Sequence, residues 1–244
     1  MKISLDINLD TIEQDTELLN RLGYALEHGT IFEQDYEIAY QCYLLSAEAG
    51  NELGMNNLGW MCQNGFGTPK DILRALKLYH DSAELGCAQA MVNLGNIYEF
   101  GCDDIPIDDS KAFFWYKKAA ELEDEKGLYN YANLLHWGRG TEQNREEAFR
   151  IFVNLYNLGV PETCFYMGMY YQNGYVVAAD AAKARTYYEE GMALDDPYCI
   201  HQLGVMCSEG KLEGLNPDQS IVFYERAAEL GNLLSIEVFA DYNY

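Results

Sequence analysis

The chain has 244 residues, with 16 Lys and Arg against 39 Asp and Glu, a formal net charge of −23 at pH 7, and 49% apolar residues including 20 Tyr and 10 Phe. That much apolar material excludes intrinsic disorder, and a strongly negative surface excludes nucleic acid and anionic membrane as partners. A basic protein would be attracted, although acidity also keeps a Tyr-rich chain soluble. The charge is uneven, because residues 1–69 and residues 186–244 each carry two basic and eleven acidic side chains. No apolar run reaches the roughly 18 residues of a membrane helix, and Met1-Lys2-Ile3-Ser4-Leu5-Asp6 lacks a signal-peptide stretch, so a cytoplasmic protein is expected.

At the start of the chain Ile3, Leu5, Ile7 and Leu9 alternate with polar residues, the period of an extended strand. Residues 1–14 are therefore expected to lie extended, covering the first repeat or pairing with a partner's strand. From there a signature recurs: Leu22-Gly23, Leu58-Gly59, Leu94-Gly95, Tyr131-Ala132, Met167-Gly168 and Leu203-Gly204, with small residues 36 or 37 positions apart. A period of that size marks a stacked array in which each unit covers its neighbours' apolar faces. The array has one continuous core and is expected to form a single domain, read as repeats at about 15–50, 51–86, 87–123, 124–159, 160–195 and 196–231.

Each unit reads as two helices. In the second unit, residues 52–64 and 71–85 carry apolar side chains at helical spacing. Gly29, Gly65, Gly101, Gly138, Gly174 and Gly210 stop the first helix, since glycine accepts a left-handed backbone. Asp35, Asp71, Asp108, Asn144, Asp180 and Asn216 sit where the second helix starts, as N-caps worth about 1 kcal/mol each, which argues against a catalytic role for them. The one extra residue of the 37-residue interval falls in Cys102–Ile107, a loop. Tyr43, Tyr79, Tyr116, Phe152, Tyr188 and Tyr224 recur in the second helices and are expected to fill the gap between units. Residues 232–244 continue the phase, with Ala240 placed 36 after Gly204, and read as a C-terminal capping helix.

Lys111-Ala112-Phe113-Phe114-Trp115-Tyr116-Lys117-Lys118-Ala119-Ala120-Glu121-Leu122, with Ala47-Glu48-Ala49-Gly50 and Gly65-Phe66-Gly67, resembles the Sel1-like repeat, a relative of the tetratricopeptide repeat. The resemblance spans about residues 15–231. Repeats four and five depart from it at Ala132, Tyr156, Met192 and Gly191. It implies an all-α fold, a right-handed superhelix of about six helix hairpins, and a scaffold or adaptor role in which a concave face lined by first helices grips a partner protein or peptide.

Chemistry is sparse. The four histidines, His28, His80, His136 and His201, form no metal or catalytic spacing, and there is no nucleophile elbow or phosphate loop. Cys199, His201 and Cys207 are the nearest approach to a metal cluster, but positions two apart on a helix diverge. No enzyme, cofactor or metal is expected. Seven cysteines without Cys-x-x-Cys read as free thiols packed as small apolar residues.

By analogy with peptide-binding tetratricopeptide domains, the concave face is expected three before, one after and four after the signature small residue. That gives Asn56, Trp60, Gln63, Asn96, Glu99, Tyr129, Asn133, His136, Phe165 and Met169. Trp60, Tyr129 and Phe165 offer stiff contact area, and Asn96 and Asn133 offer amides to a peptide backbone. An alternative reading of the acidity is an immunity protein that neutralises a basic toxin such as a nuclease.

Overall fold

The computed structural model describes residues 9, 15–102 and 105–242 of the chain. The expected extended segment lies outside the described residues except for Leu9. The described residues fold as thirteen α-helices: α1 (Thr16–His28), α2 (Tyr36–Glu48), α3 (Glu52–Asn64), α4 (Ile72–Glu84), α5 (Ala88–Phe100), α6 (Asp109–Glu121), α7 (Glu125–Trp137), α8 (Arg145–Asn157), α9 (Thr163–Asn173), α10 (Ala181–Ala193), α11 (Pro197–Ser208), α12 (Ser220–Glu229) and α13 (Leu233–Tyr242). The array divides into two compact units where one was expected, the first reaching Tyr131 with Arg139–Thr141, the second holding Ala132–Gly138 and everything from Glu142. Such a division costs little in an array, because each repeat is stabilised by its immediate neighbours.

In repeats one, two, three, five and six the first helix packs on the second, and α2, α4, α8, α10 and α12 each pack on the first helix that follows. The caps explain where helices begin. Asp35, Asp71, Asp108, Asn144 and Asp180 each accept a hydrogen bond from the amide three residues on, at 2.9–3.1 Å. Asn216 caps a 3-10 turn, Pro217–Gln219, that leads into α12. First helices are capped too, by Asp15, Asn51, Asp124, Asp196 and Asn232. The extra residue is absorbed between α5 and α6, where Cys102 and Ile105 exchange backbone hydrogen bonds of 3.0 and 2.8 Å.

The signature glycines have one cause. A Cβ added at Gly23, Gly59 or Gly204 would stand 2.7–2.9 Å from the ring of Tyr43, Tyr79 or Tyr224, and at Gly95 and Gly168 it would press harder still on Tyr116 and Tyr188. In these five repeats the second helix thus sets a buried aromatic ring against the backbone of the first. Repeat four has Ala132 and Phe152 at these places. Gly191, a departure inside α10, is explained in the same way, since a Cβ there would run into Cys199 Sγ and stand 3.2 Å from Cys164 Cβ.

Neighbouring repeats are joined by a second recurring contact, between the first residue of a second helix and a loop residue thirty positions on. Tyr36 stacks on Phe66 at 4.6 Å and 11°. Asp109 holds Arg139 through both oxygens, Nη2 to Oδ1 at 2.6 Å and Nε to Oδ2 at 3.3 Å. The guanidinium of Arg145 lies 4.0 Å over the Tyr175 ring. Three chemistries fill one geometric slot.

The residue after the slot must turn left-handed. Gly67 and Gly140 do so at φ +64° and +67°, but in repeat five the position holds Val176 at φ +62°. A β-branched residue there carries strain of about 1–3 kcal/mol. Val176 is exposed, so little packing depends on its side chain. Val176→Gly is expected to raise stability by about 1 kcal/mol, the relieved strain less the larger unfolded-state entropy of glycine. Urea unfolding monitored by circular dichroism checks this.

Candidate functional site

The residues expected on one concave face are distributed by the fold into three kinds of environment. In the first unit, Asn56 is buried: its Oδ1 accepts from Asn93 Nδ2 at 2.9 Å and its own Nδ2 donates to Asn57 Oδ1 at 3.1 Å. It is a strut between α3 and α5, so the position three before the small residue faces the neighbouring first helix rather than solvent here. Trp60 is half-buried, with its ring 5.1 Å from Phe66, which in turn stacks on Tyr36. Tyr129 is half-buried as well.

The position four after the small residue has a structural duty that sequence reasoning missed. The buried tyrosine of the second helix donates its hydroxyl there: Tyr43 to Glu27 Oε2 at 2.7 Å, Tyr79 to Gln63 Oε1 at 2.9 Å, Tyr188 to Gln172 Oε1 at 2.7 Å. Tyr116 lies 2.8 Å from Glu99 Oε2 and 2.7 Å from the Asn96 amide. The Asn96 atom at that distance is Oδ1, so the Tyr116 hydroxyl faces two acceptors with one proton to donate. Glu99 also receives Arg139 Nη1 at 2.6 Å, which leaves its side chain 10% exposed. Gln63 is thus committed to its own repeat, and Glu99 to its own repeat and to Arg139 of the next. The signal was available as a constant separation of sixteen residues, or seventeen across the inserted loop, between an acceptor and a tyrosine. Burial holds these phenols protonated, with pKa values well above the ordinary tyrosine value.

In the second unit, Asn133 Nδ2 donates to the Tyr166 hydroxyl at 2.6 Å, and Phe165 is half-buried between Tyr166 and Tyr198 at 5.3 and 5.7 Å. Met169 is buried, and His136 is fully so. With Phe152 in place of a tyrosine, repeat four has no hydroxyl to offer the fourth position. His136 turns instead to repeat five, with Nδ1 2.9 Å from the Tyr170 hydroxyl. That hydroxyl donates to the Arg145 carbonyl at 3.1 Å, a group that only accepts, so His136 Nδ1 carries the proton toward Tyr170. His136 Nε2 is left as a bare lone pair without a hydrogen-bond partner, and Arg145 Nε is buried without one too. Asn56, His136 and Met169 therefore do not present a free surface, and the partly exposed remainder of the expected face is Trp60, Asn96 and Tyr129 in the first unit and Asn133 and Phe165 in the second.

No group of three or more His, Cys, Asp and Glu among the described residues is arranged to hold a metal ion. His201 Nδ1 instead meets Ser235 Oγ at 2.8 Å. All seven cysteines are free, and six are buried. Burial pushes the Cys42 thiol up to about 12 and Cys164 up to about 11, so these sulfurs are packing groups rather than nucleophiles. No helix among the described residues is long and apolar enough to cross a membrane.

Helix hairpins repeated at about 36 residues, five of the six clamping a ring on a glycine, define the α-solenoid class. Six segments, residues 16–51, 53–87, 88–124, 126–159, 161–196 and 197–232, match the Sel1 repeat, and the chain belongs to the Sel1 repeat family. A Sel1 repeat protein from Oxalobacter formigenes is similar at 25% identity with a TM-score of 0.76, over 89% of this chain and 86% of that one. The c5321 protein, a protective antigen of uropathogenic Escherichia coli with an SLR fold, is similar at 23% identity and a TM-score of 0.75, over 94% of this chain and 49% of that one. Among curated proteins, chitin synthase regulatory factor 2 of Schizosaccharomyces pombe is 30% identical over 134 residues, 51% of this chain. The match spans only 26% of that regulator's length. Sel1 repeats in general mediate contacts between proteins.

Burial pushes the His136 imidazole down to about 4, with the nearby Arg145 charge adding to the effect. Its folded value lies below the ordinary 6.5, so on acidification the unfolded chain takes the proton first, and stability falls from about pH 6.5 to about pH 4. The loss attributable to this residue is about 3 kcal/mol, to order of magnitude. Urea midpoints at pH 7 and pH 4.5 are expected to differ clearly less in His136→Phe than in the wild type.

Proposed function

We propose that this chain is a non-enzymatic interaction module that holds a partner protein or peptide on the first-helix faces, as an adaptor or assembly factor. Trp60 carries the reading. In the first unit it is a large aromatic left half-open above a ring stack, and tryptophan is the residue type that most often anchors a binding hot spot. Tyr129 supplies further stiff contact area and Asn96 an amide. In the second unit Phe165 and Asn133 repeat the combination of open ring and amide. Matching a fungal chitin synthase regulatory factor over half of this chain supports a role in which repeats engage another protein.

A second reading, an acidic inhibitor of a basic toxin such as a nuclease, draws on the net charge of −23 and its concentration in residues 1–69 and 186–244. The two readings predict different salt behaviour. Steering by charge weakens association steeply from low to high salt, whereas contact through open aromatic rings changes little.

The test is capture of a partner from the native host, followed by titration with Trp60→Ala and Asn96→Ala at two salt concentrations. The adaptor reading expects Trp60→Ala to weaken binding at least tenfold with an unchanged melting temperature and little salt dependence. Full binding by both variants would refute it, and a steep salt dependence with full binding by Trp60→Ala would favour the inhibitor.

A further inference from the structure

Repeat five departs from the other repeats at two places that the fold brings together. Cys164, in the first turn of α9, stands where the other first helices carry Leu19, Met55, Met91, Leu128 and Ile200. Gly191, in α10, stands where the other second helices carry Ser46, Ser82, Ala119, Leu155 and Ala227. Both changes remove side-chain volume where α10 packs between α9 and α11. The first turn of α11 supplies a third residue, Cys199. It is fully buried, Cys164 is 4% exposed, and the two share one apolar cluster with Tyr188 and Leu203.

The bare backbone of Gly191 is what lets the two cysteines meet. A Cβ built there would stand 2.8 Å from Cys199 Cβ and 3.2 Å from Cys164 Cβ, and closer still to Cys199 Sγ. The two cysteine Cβ atoms are therefore separated by at most about 6 Å, against the ~4 Å that a disulfide spans. Rotation about χ1 and a small shift of α9 toward α11 close a difference of that size. Burial does most to raise the Cys199 pKa, Asp196 adds to it, and the Cys164 sulfur is near enough to contribute as well. The other cysteines lie elsewhere: Cys42, Cys62, Cys87 and Cys102 belong to the first unit, and Cys207 Sγ is 3.4 Å from the Asn216 carbonyl.

We propose that Cys164 and Cys199 are a reversible cross-linking pair, which a small-molecule disulfide such as oxidised glutathione joins into a bond that staples the first turn of α9 to that of α11. The chemistry is two successive exchanges. One cysteine gives up its proton and attacks a glutathione sulfur, forming a mixed disulfide and releasing one glutathione thiolate, which takes up a proton. The second cysteine, deprotonated in turn, attacks the protein sulfur of that mixed disulfide and displaces the other glutathione. Two protein thiols are oxidised, and one glutathione disulfide is reduced to two thiols. In the closed array both thiols are enclosed and held protonated, so exchange waits on a local opening of α11 from α9, and the bond forms as the helices close again. Once made, the link restricts the open state and favours the packed joint between repeats five and six. It lies inside the core and is independent of the first-helix faces that hold Trp60 and Asn96.

The full chain, without denaturant, is incubated with glutathione at an oxidising ratio, alkylated, and digested without reduction for mass spectrometry. The expected product is a peptide pair joined through Cys164 and Cys199, at least tenfold more abundant than any other pairing, which dithiothreitol returns to free thiols. In denaturing urea that preference is expected to disappear, because packing selects the pair. The oxidised chain is expected to melt about 5 °C above the reduced one. Cys199→Ser is expected to lose both the link and the temperature difference; Ser235 holds the equivalent place in α13, and circular dichroism confirms that the variant is folded. Recovery of Cys164 and Cys199 from the native chain as free thiols, or as two separate glutathione adducts, would overturn the proposal. So would an equal preference in urea, or a melting temperature that oxidation leaves unchanged.

Discussion

An aromatic ring lying against a helix backbone that lacks a side chain is the contact from which the rest of this structure follows. Tyr43, Tyr79, Tyr116 and Tyr188 are buried completely or nearly so, and each covers a glycine twenty or twenty-one residues earlier. Burying such a ring contributes about 1.5–3 kcal/mol, but only if its hydroxyl finds a partner. The partner is an acceptor one helical turn past the glycine, at Glu27, Gln63, Glu99 or Gln172. Ring, glycine and acceptor form one device, repeated along the array. Its repetition fixes how closely the two helices of a hairpin approach and which first-helix positions remain for other work.

Repeat four shows what happens when the device changes. Ala132 and Phe152 replace glycine and tyrosine together, so the hydroxyl and its acceptor disappear as well. His136 stands where the acceptor would be and is satisfied through Tyr170 of the next repeat. The same joint carries the Arg145–Tyr175 contact and the strained Val176, and it leaves two buried polar atoms without partners. One change in the ring therefore coincides with a joint between repeats four and five that is polar and strained where its counterparts are closed by glycine. Arg139 shows the closed alternative, with both carboxylates of its surroundings bound and Gly140 turning beside it.

Much of the fold was legible in the residues. The 36-residue interval, the N-caps at Asp35, Asp71, Asp108, Asn144 and Asp180, and the insertion confined to the loop before α6 all follow from local chemistry that a period makes visible. Periodicity identifies equivalent positions without saying which way they face. The fourth position after each glycine was expected to line a groove, yet Gln63 and Glu99 serve buried tyrosines and His136 is enclosed. The direction of that position depends on where the second helix crosses the first, which is a packing outcome. The thirty-residue contacts were equally hard to see, because Tyr36–Phe66, Asp109–Arg139 and Arg145–Tyr175 share a place and no chemistry. Division into two units has no local signal at all.

Function in such an array belongs to the positions the packing device leaves over. Trp60, Asn96, Tyr129, Asn133 and Phe165 keep exposed surface on first helices. That surface depends on the ring and glycine holding the hairpins closed. A double-mutant cycle on Gly59→Ala and Tyr79→Leu tests that dependence directly. If the ring sets the need for glycine, Gly59→Ala is strongly destabilising beside Tyr79 and nearly neutral beside leucine, with a coupling energy above about 1 kcal/mol. Additive effects of the two substitutions would show that the glycine is required for some other reason and would contradict the account.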